Sequence, residues 1–352
     1  MIVSVLIFLL IFTVIVVSHE FGHFAVARRS GIRVNEFAIG MGPVLYKRRM
    51  GETDFCIRLL PLGGACVFDG LNGLEPDEEA VLDEHSFPRA SVFARIATVA
   101  AGPVFNFILG FLLSLIVVTF SGTDLPVVQE IIEESAAEDA GLMAGDRILS
   151  VNGERIHLYR EVSLISQMNY GEPLTITYER EGERDTLVLT PRYDGETGRY
   201  YIGIRGAGEF HACRGLEVFP YAFYETGYWL KATLKSLGSM IGGHFSRDDI
   251  AGPVGVVKVV DDTYQAVNPY GLSAILLTFL SLSTLLTVNL GVVNLLPIPA
   301  LDGGRLVFLI IEAIRGKPVP PDKEGLVHLA GIALLMAIMV MVLFNDISRF
   351  FR

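Results

Sequence analysis

The chain has 352 residues, of which 51% are hydrophobic and 19% are charged, and its mean hydropathy is +0.48. Soluble globular chains carry about 25% charged residues, so this composition favours a membrane protein. The formal net charge of −11 provides no basic surface for a polyanion, which argues against a nucleic-acid partner. Three cysteines, Cys56, Cys66 and Cys213, lack metal-like spacing and indicate neither a disulfide framework nor a thiolate metal site.

Four apolar segments are long enough to cross a bilayer, whose hydrocarbon core of about 30 Å takes about 20 helical residues. They lie near residues 2–28, 92–120, 272–299 and 326–345. The first lacks the basic start and the small-residue cleavage site of a signal peptide, so we interpret it as a retained transmembrane helix. The predicted fold class is therefore a polytopic α-helical membrane protein with about four transmembrane helices.

Basic residues near the helix ends predict the orientation, because cytoplasmic loops are enriched in Lys and Arg. The loop after the first span is basic from Arg28 to Arg58, and the loop after the third span carries Arg315, Lys317 and Lys323. Both loops are expected to be cytoplasmic. Both termini and residues 121–271 are then expected on the outside.

The first loop has the pattern of a β-hairpin. "FAIGMGPVLY" and "DFCIRLLPL" alternate in part with period 2 on either side of the turn-like "RMGET". Irregular backbone at membrane depth is tolerated where it is buried in protein or lines a cavity. We therefore expect a membrane-associated hairpin on the cytoplasmic side; a plain surface hairpin is the alternative.

Residues 121–207 have a different sequence pattern from the apolar spans. The pattern predicts short strands separated by glycine, Asn-Gly and charged turns, and one helix near residues 160–168. The stretch "SAAEDAGLMAGDRILSVNG", residues 135–153, resembles a PDZ domain. This small mixed α/β domain is expected outside the cytoplasm. The alternative is an unrelated small β-rich domain.

Residues 208–271 contain an amphipathic pattern. Apolar residues recur at helical spacing at Phe219, Phe223, Leu230, Leu234 and Leu237. The pattern predicts a helix that either lies on the outer membrane surface or packs against the preceding domain.

A cluster of ionisable residues interrupts the first apolar span. His19, Glu20 and His23 form HExxH, and residues four apart share one face of a helix. Both imidazoles can therefore reach one metal ion, with Glu20 beside it to act on water. The motif alone is weak, but ionisable groups inside a membrane span are usually functional.

A catalytic zinc usually takes three protein ligands, so a third ligand must come from elsewhere in the chain. The best candidate is Asp302 in "NLLPIPALDGG", where Pro297 and Pro299 interrupt the third span. The alternative is an aspartate that caps a helix at the membrane exit. The charge pattern brings both halves of the site to the cytoplasmic side, as a shared metal requires.

The combination of HExxH in the first span, the PDZ-like insertion and "NLLPIPALDGG" resembles the site-2 protease family of intramembrane zinc metalloproteases, in its bacterial branch. "PLGGACVF", "AGPVFNF" and "GPVGV" also resemble family signatures. The resemblance implies that His19, His23 and Asp302 bind one Zn²⁺ per chain and that Glu20 is catalytic. It also implies that Asn294, and less directly Asn106, bind substrate.

The resemblance further implies that the chain is divided into four parts. Residues 1–120 and 272–352 form the two halves of the membrane core, residues 121–207 the PDZ domain, and residues 208–271 the amphipathic region. The expected location is the bacterial cytoplasmic membrane.

The expected substrates are single-span membrane proteins, such as anti-sigma factors, or signal-peptide remnants. The PDZ domain is expected to bind peptide tails or to act as a size gate. A non-catalytic PDZ scaffold and a membrane di-iron oxygenase are the rival functions.

Overall fold

The computed structural model describes residues 2–72, 75–76, 82–195, 198–206, 210–243 and 252–350. Parts of the predicted amphipathic region, residues 208–209 and 244–251, lie outside this set, as does residue 207 of the predicted PDZ domain. The chain divides into two compact units, Met1–Gly110 with Phe245–Arg352, and Phe111–His244.

Four helices of the described chain are long and apolar enough to cross a membrane: Ile2–Arg29, Val92–Ser121, Leu272–Leu295 and Lys323–Asp346. They correspond to the four predicted spans. We label the first two α1 (Ile2–Arg29) and α2 (Val92–Ser121).

Helix α1 ends where its sequence predicts. Arg28 and Arg29 occupy its last turn, where positive charge interacts favourably with the helix dipole. Gly31 then adopts φ +77°, and the Ile32 N–H donates to the Ala27 carbonyl at 2.9 Å while the Gly31 N–H donates to Arg28. This is a Schellman motif, which glycine makes favourable because it has no Cβ.

Strands β1 (Val34–Met50) and β2 (Thr53–Phe68) follow α1. They are antiparallel around the turn at Gly51 and Glu52, but residues 36–39 also pair on both sides, with 54–57 and with 64–67. The two long strands therefore form four extended stretches in the order 44–50, 53–57, 34–39 and 64–68. This arrangement is larger than a simple hairpin, and it leaves stretch 64–68 at one edge. Strands β3 (Leu71–Asn72) and β4 (Glu75–Pro76) pair next to each other.

The second part of the first unit begins with α6 (Pro253–Val267) and continues through α7 (Leu272–Leu295), α8 (Asp302–Arg315) and α9 (Pro321–Phe350). Helix α7 ends four residues before the predicted boundary at 299. Leu296 is extended, with ψ 142°, because the residue before a proline is pushed out of the helical region. The chain then turns through Pro297 and Pro299 and starts α8 at Asp302.

The second unit contains a small α/β core. Its strands are β5 (Val128–Ile131), β6 (Arg147–Val151), β7 (Glu154–Arg155), β8 (Leu174–Arg180), β9 (Glu183–Leu189), β10 (Arg192–Asp194), β11 (Arg199–Tyr201) and β12 (Ile204–Gly206). A four-stranded sheet has the order β7-β6-β8-β9, and β12 pairs with β5. Helices α3 (Ala136–Asp139) and α4 (Tyr159–Met168) complete it.

The turn between β6 and β7 is Asn152-Gly153, with φ +50° and +80°. A two-residue β-hairpin turn of type I′ needs positive φ at both of its central residues. The core of this unit is a single apolar cluster that includes Ile148, Val162 and Ile176.

Helix α5 (Val218–Ile241) follows this core. Phe219, Phe223 and Leu234 are more than half exposed, whereas Ala222 and Glu225 are buried. The predicted amphipathic helix is therefore present, and apolar side chains on one face of it are exposed.

Candidate metal centre

The two histidines of HExxH lie on the buried face of α1. His19 and His23 are each 7% exposed, and their Nε2 atoms are 3.2 Å apart. Glu20 is half-buried beside them and interacts electrostatically with both imidazoles. The helical spacing therefore brings the three side chains together as the motif predicts.

Helix α2 presents a complementary face to these histidines. Thr98, Gly102 and Asn106 are spaced four residues apart, so they line one side of the helix. The Thr98 carbonyl accepts a hydrogen bond from His23 Nδ1 at 2.9 Å, and the Asn106 amide contacts His19 Nδ1 at 3.1 Å. A Cβ at Gly102 would lie only 2.3 Å from His23 Nε2. This face therefore orients both rings and leaves room for them.

Asp302 reaches the histidines from the first turn of α8. Its Oδ2 lies 3.1 Å from His19 Nε2 and 3.3 Å from His23 Nε2. The two glycines that follow permit this approach. A Cβ at Gly303 would lie 2.1 Å from the Leu296 carbonyl oxygen, and one at Gly304 would lie 2.4 Å from that of Ile298.

The three donor atoms fit a tetrahedral zinc ion. Their separations of 3.1, 3.2 and 3.3 Å are close to the about 3.3–3.6 Å that ligand distances of 2.0–2.2 Å impose on a tetrahedron. Because a carbonyl only accepts, the Thr98 bond places the proton of a neutral His23 on Nδ1 and leaves a lone pair on Nε2. That lone pair faces Asp302 Oδ2, a buried atom with no hydrogen-bond donor among the described residues. Two acceptors at this distance repel each other unless a cation lies between them.

Glu20 contacts the outer edge of the β1–β2 sheet. The backbone N–H of Cys66 interacts with its carboxylate. A Cβ at Gly64 would lie 2.9 Å from Glu20 Cγ and 3.0 Å from Val16 Cγ1. The edge stretch 64–68 therefore lies directly beside this glutamate.

The structure brings together four of the residues singled out from the sequence, His19, His23, Asp302 and Asn106, with Glu20 alongside. Asn294 lies half-buried near the end of α7, and among the described residues no hydrogen bond links it to the three donor side chains. Sequence reasoning missed Thr98 and Gly102. They precede Asn106 by eight and four residues on the same helix, and this spacing is the signal that points to them.

A second group of potential ligands, His211, Cys213 and Glu217, occurs in the second unit. Its imidazole and carboxylate form an exposed ion pair, and Glu217 also accepts from the Arg214 backbone. Cys213 packs against Val118 and Val218. Each of these side chains already has a structural role, so the α1–α8 cluster is the better metal site.

Comparison with known proteins points to one family. A model of peptidase family M50 matches residues 7–338. The zinc metalloprotease RasP of Geobacillus kaustophilus is 34% identical, with 99% of this chain and 98% of that protein covered. The probable protease eep of Enterococcus faecalis is 33% identical, with 99% of both chains covered. The regulator of sigma-W protease RasP of Bacillus subtilis is 30% identical over 99% of both.

One solved structure, the PDZ domain of an SdrC-like protein from Listeria monocytogenes, covers 25% of this chain and 90% of its own at 21% identity. Its TM-score of 0.19 is too low to carry an argument about the fold of the second unit.

These relatives are named as bacterial proteases, the first of them as a zinc metalloprotease, and the four apolar helices agree with a membrane protein. A non-catalytic scaffold is not favoured by these relatives. The chain belongs to peptidase family M50, the site-2 protease family, and is an intramembrane zinc metalloendopeptidase of a bacterial membrane.

Proposed function

We propose that His19, His23 and Asp302 hold the zinc ion and that Glu20 is the acid–base residue that cleaves a peptide bond within a transmembrane segment. The observation that carries this proposal is the near-equilateral triangle of donor atoms, 3.1–3.3 Å on each side. Two of its members come from one turn of α1, and the third comes from a helix almost 300 residues later.

The chemistry follows from the positions of these groups. Bound zinc polarises a carbonyl oxygen and lowers the pKa of water to about 7. Glu20 accepts the proton of the attacking water and passes it to the leaving amine. The backbone N–H of Cys66 interacts with this carboxylate.

Asn106 supports the site by orienting His19 rather than by binding substrate. A histidine that binds metal through Nε2 carries its proton on Nδ1 and donates it to a neighbouring acceptor. If the Asn106 amide is turned over, its Oδ1 accepts that proton. This orientation also satisfies Oδ1, which otherwise has no partner among the described atoms. Thr98 has the same function toward His23.

The substrate is expected to unwind and pair with the sheet edge beside Glu20. A transmembrane helix buries its carbonyl groups in hydrogen bonds, so cleavage requires an extended segment. Strand addition to an exposed edge satisfies the backbone of such a segment. Stretch 64–68 pairs on one side only, with residues 34–39, in the part of the chain that the structure describes. Asn294 is the side chain that we assign to contact with the bound substrate.

We infer that the substrates are single-span membrane proteins, such as anti-sigma factors, or signal-peptide remnants. The printed name of the Bacillus subtilis relative, regulator of sigma-W protease, supports the first class. The basic loops support an active site near the cytoplasmic face, with both termini and residues 121–271 outside.

We infer that residues 121–207 form a PDZ domain that acts as a size gate. A groove between α4 and residues 200–204 is lined by Val162, Ser166 and Ile202. The Tyr159 hydroxyl donates to the Ile204 carbonyl across this groove at 2.9 Å. A peptide that adds a strand there must displace this bond, which favours a gate over a tail receptor. Tight binding of free peptide tails by the wild-type protein, equal to that of Tyr159→Phe, would contradict the gate assignment.

Replacement of the glutamate tests the proposed mechanism. Glu20→Gln keeps the size of the side chain but cannot accept a proton. We expect the purified variant to retain one zinc per chain and to lose cleavage of a reporter with a single membrane-spanning segment. Normal cleavage by this variant would refute the role of Glu20.

A further inference from the structure

The segment that precedes Asp302 has an unfavourable backbone conformation. Ala300, two residues before Asp302, has φ +76°, in the left-handed region that residues with a Cβ seldom adopt. The prolines Pro297 and Pro299 prevent this segment from continuing α7 as a helix. An outside contact must therefore hold the turn in this conformation.

Helix α9 supplies that contact. Most of its membrane-spanning part is exposed, and the buried positions among its described side chains are His328, Gly331 and Asp346. His328 and Gly331 are three residues apart, so they lie on the same face. We call this pair the α9 notch.

The α9 notch packs against the Pro299–Ala300 turn. The Ala300 N–H donates to His328 Nδ1 at 3.0 Å, and the imidazole is only 1% exposed. A Cβ at Gly331 would lie 2.3 Å from Pro299 Cβ and 2.7 Å from its carbonyl oxygen. Both members of the notch thus touch the turn that precedes Asp302.

The chemistry of His328 suits this contact. Nδ1 accepts a hydrogen bond from the backbone, so the proton of the neutral ring is on Nε2. Nε2 lies 3.7 Å from Glu324 Oε1, too far for a hydrogen bond. Without an acceptor at this position, the half-buried Ala300 N–H would lose its hydrogen-bond partner, which is costly, and the turn would be free to leave the left-handed conformation.

We propose that His328 is a positioning residue for the metal site: by accepting the Ala300 N–H, it fixes the turn that places Asp302 against His19 and His23. The inference rests on the proposed role of Asp302 as a zinc ligand. Gly331 contributes by allowing the turn to reach the helix. His328 itself does not touch the metal.

The test measures zinc affinity by chelator competition on the full chain in detergent. Removal of a residue that orients a ligand typically weakens metal binding about 10- to 100-fold, and we expect His328→Leu to fall in this range. His328→Asn, whose amide oxygen lies near the position of Nδ1, should keep an affinity close to that of the parent.

A double variant separates positioning from general stability. Glycine adopts positive φ without the penalty of a Cβ, so Ala300→Gly should restore part of the zinc affinity in the His328→Leu background. Gly331→Ala should weaken zinc binding, whereas Gly227→Ala, on α5 with no atom within 4 Å of its added Cβ, should not. A purely structural role for His328 would lower the thermal stability of the metal-free chain and leave the affinity unchanged, with no rescue by Ala300→Gly. That result would overturn the proposal.

Asp302→Ala is measured in the same assay to distinguish two failures. If Asp302→Ala leaves zinc affinity unchanged, the ligand assignment is wrong. If Asp302→Ala weakens binding but His328→Leu does not, the ligand assignment stands and the positioning role is rejected.

Discussion

At the residue scale, one glycine lies against the proposed zinc ligands and another lies against the proposed proton-transfer residue. Gly102 lies against the imidazoles, and Gly64 lies against Glu20. An added methyl group at either position would displace a different part of the site. Alanine substitutions therefore test the two halves of the mechanism independently.

Gly102→Ala is expected to weaken zinc binding, because its Cβ would lie 2.3 Å from His23 Nε2 and 2.8 Å from His19 Cε1. The imidazole rings have to move from the positions in which they meet Asp302. Chelator competition on the purified chain measures the change, and Gly227→Ala is the control. Unchanged affinity would mean that the imidazoles do not lie against α2 in the metal-bound protein.

Gly64→Ala is expected to leave zinc content unchanged and to lower kcat. Its Cβ would lie 2.9 Å from Glu20 Cγ, so the carboxylate shifts while the three donor side chains stay in place. Misplacement of a catalytic group by about 1 Å costs about 10²-fold in rate. Single-turnover cleavage together with metal analysis measures both effects, and loss of zinc in this variant would contradict the assignment.

At the element scale, one half-buried arginine joins α4 to α5 in the second unit. Arg160 donates to Asp124 at 2.7 Å and to Glu225 at 2.9 Å. Both carboxylates are nearly buried. Burial raises the pKa of the Glu225 carboxyl, and Arg160 opposes this shift.

Arg160→Met should destabilise the second unit by about 3–5 kcal/mol, because it leaves buried carboxylates without a cation. Hydrogen exchange of the β6 and β8 amides in the full chain measures this change. Arg184→Met is the matched control. Its guanidinium is 74% exposed and lies 3.7 Å from Glu179, and such surface pairs contribute about 0–1 kcal/mol. Equal effects of the two variants would show that the buried network does not stabilise the unit.

The elements were predictable to different degrees. Apolar length predicted the four long helices, because a span needs only a continuous run of nonpolar residues. Helix α7 ends earlier than predicted because Leu296 precedes a proline. The order of the β1–β2 stretches was not predictable, because residues 36–39 pair on both sides and local periodicity does not specify the second partner.

At the scale of the whole molecule, the proposed metal site joins parts of the chain that are distant in sequence. HExxH predicted His19 and His23, and the broken helix predicted Asp302 as their partner. The contacts that support these residues were harder to predict. Thr98, Gly102 and His328 act through a carbonyl group, an absent side chain and a backbone N–H, and none of these has a motif of its own.

X-ray absorption at the zinc edge tests the central claim most directly, because it reports the atoms bound to the metal in the full chain. We predict one zinc per chain with nitrogen and oxygen ligands at about 2.0–2.2 Å, including two imidazoles, and loss of the oxygen from Asp302 in Asp302→Ala. A sulfur ligand at about 2.3 Å, or an unchanged spectrum in Asp302→Ala, would contradict a zinc site built from His19, His23 and Asp302.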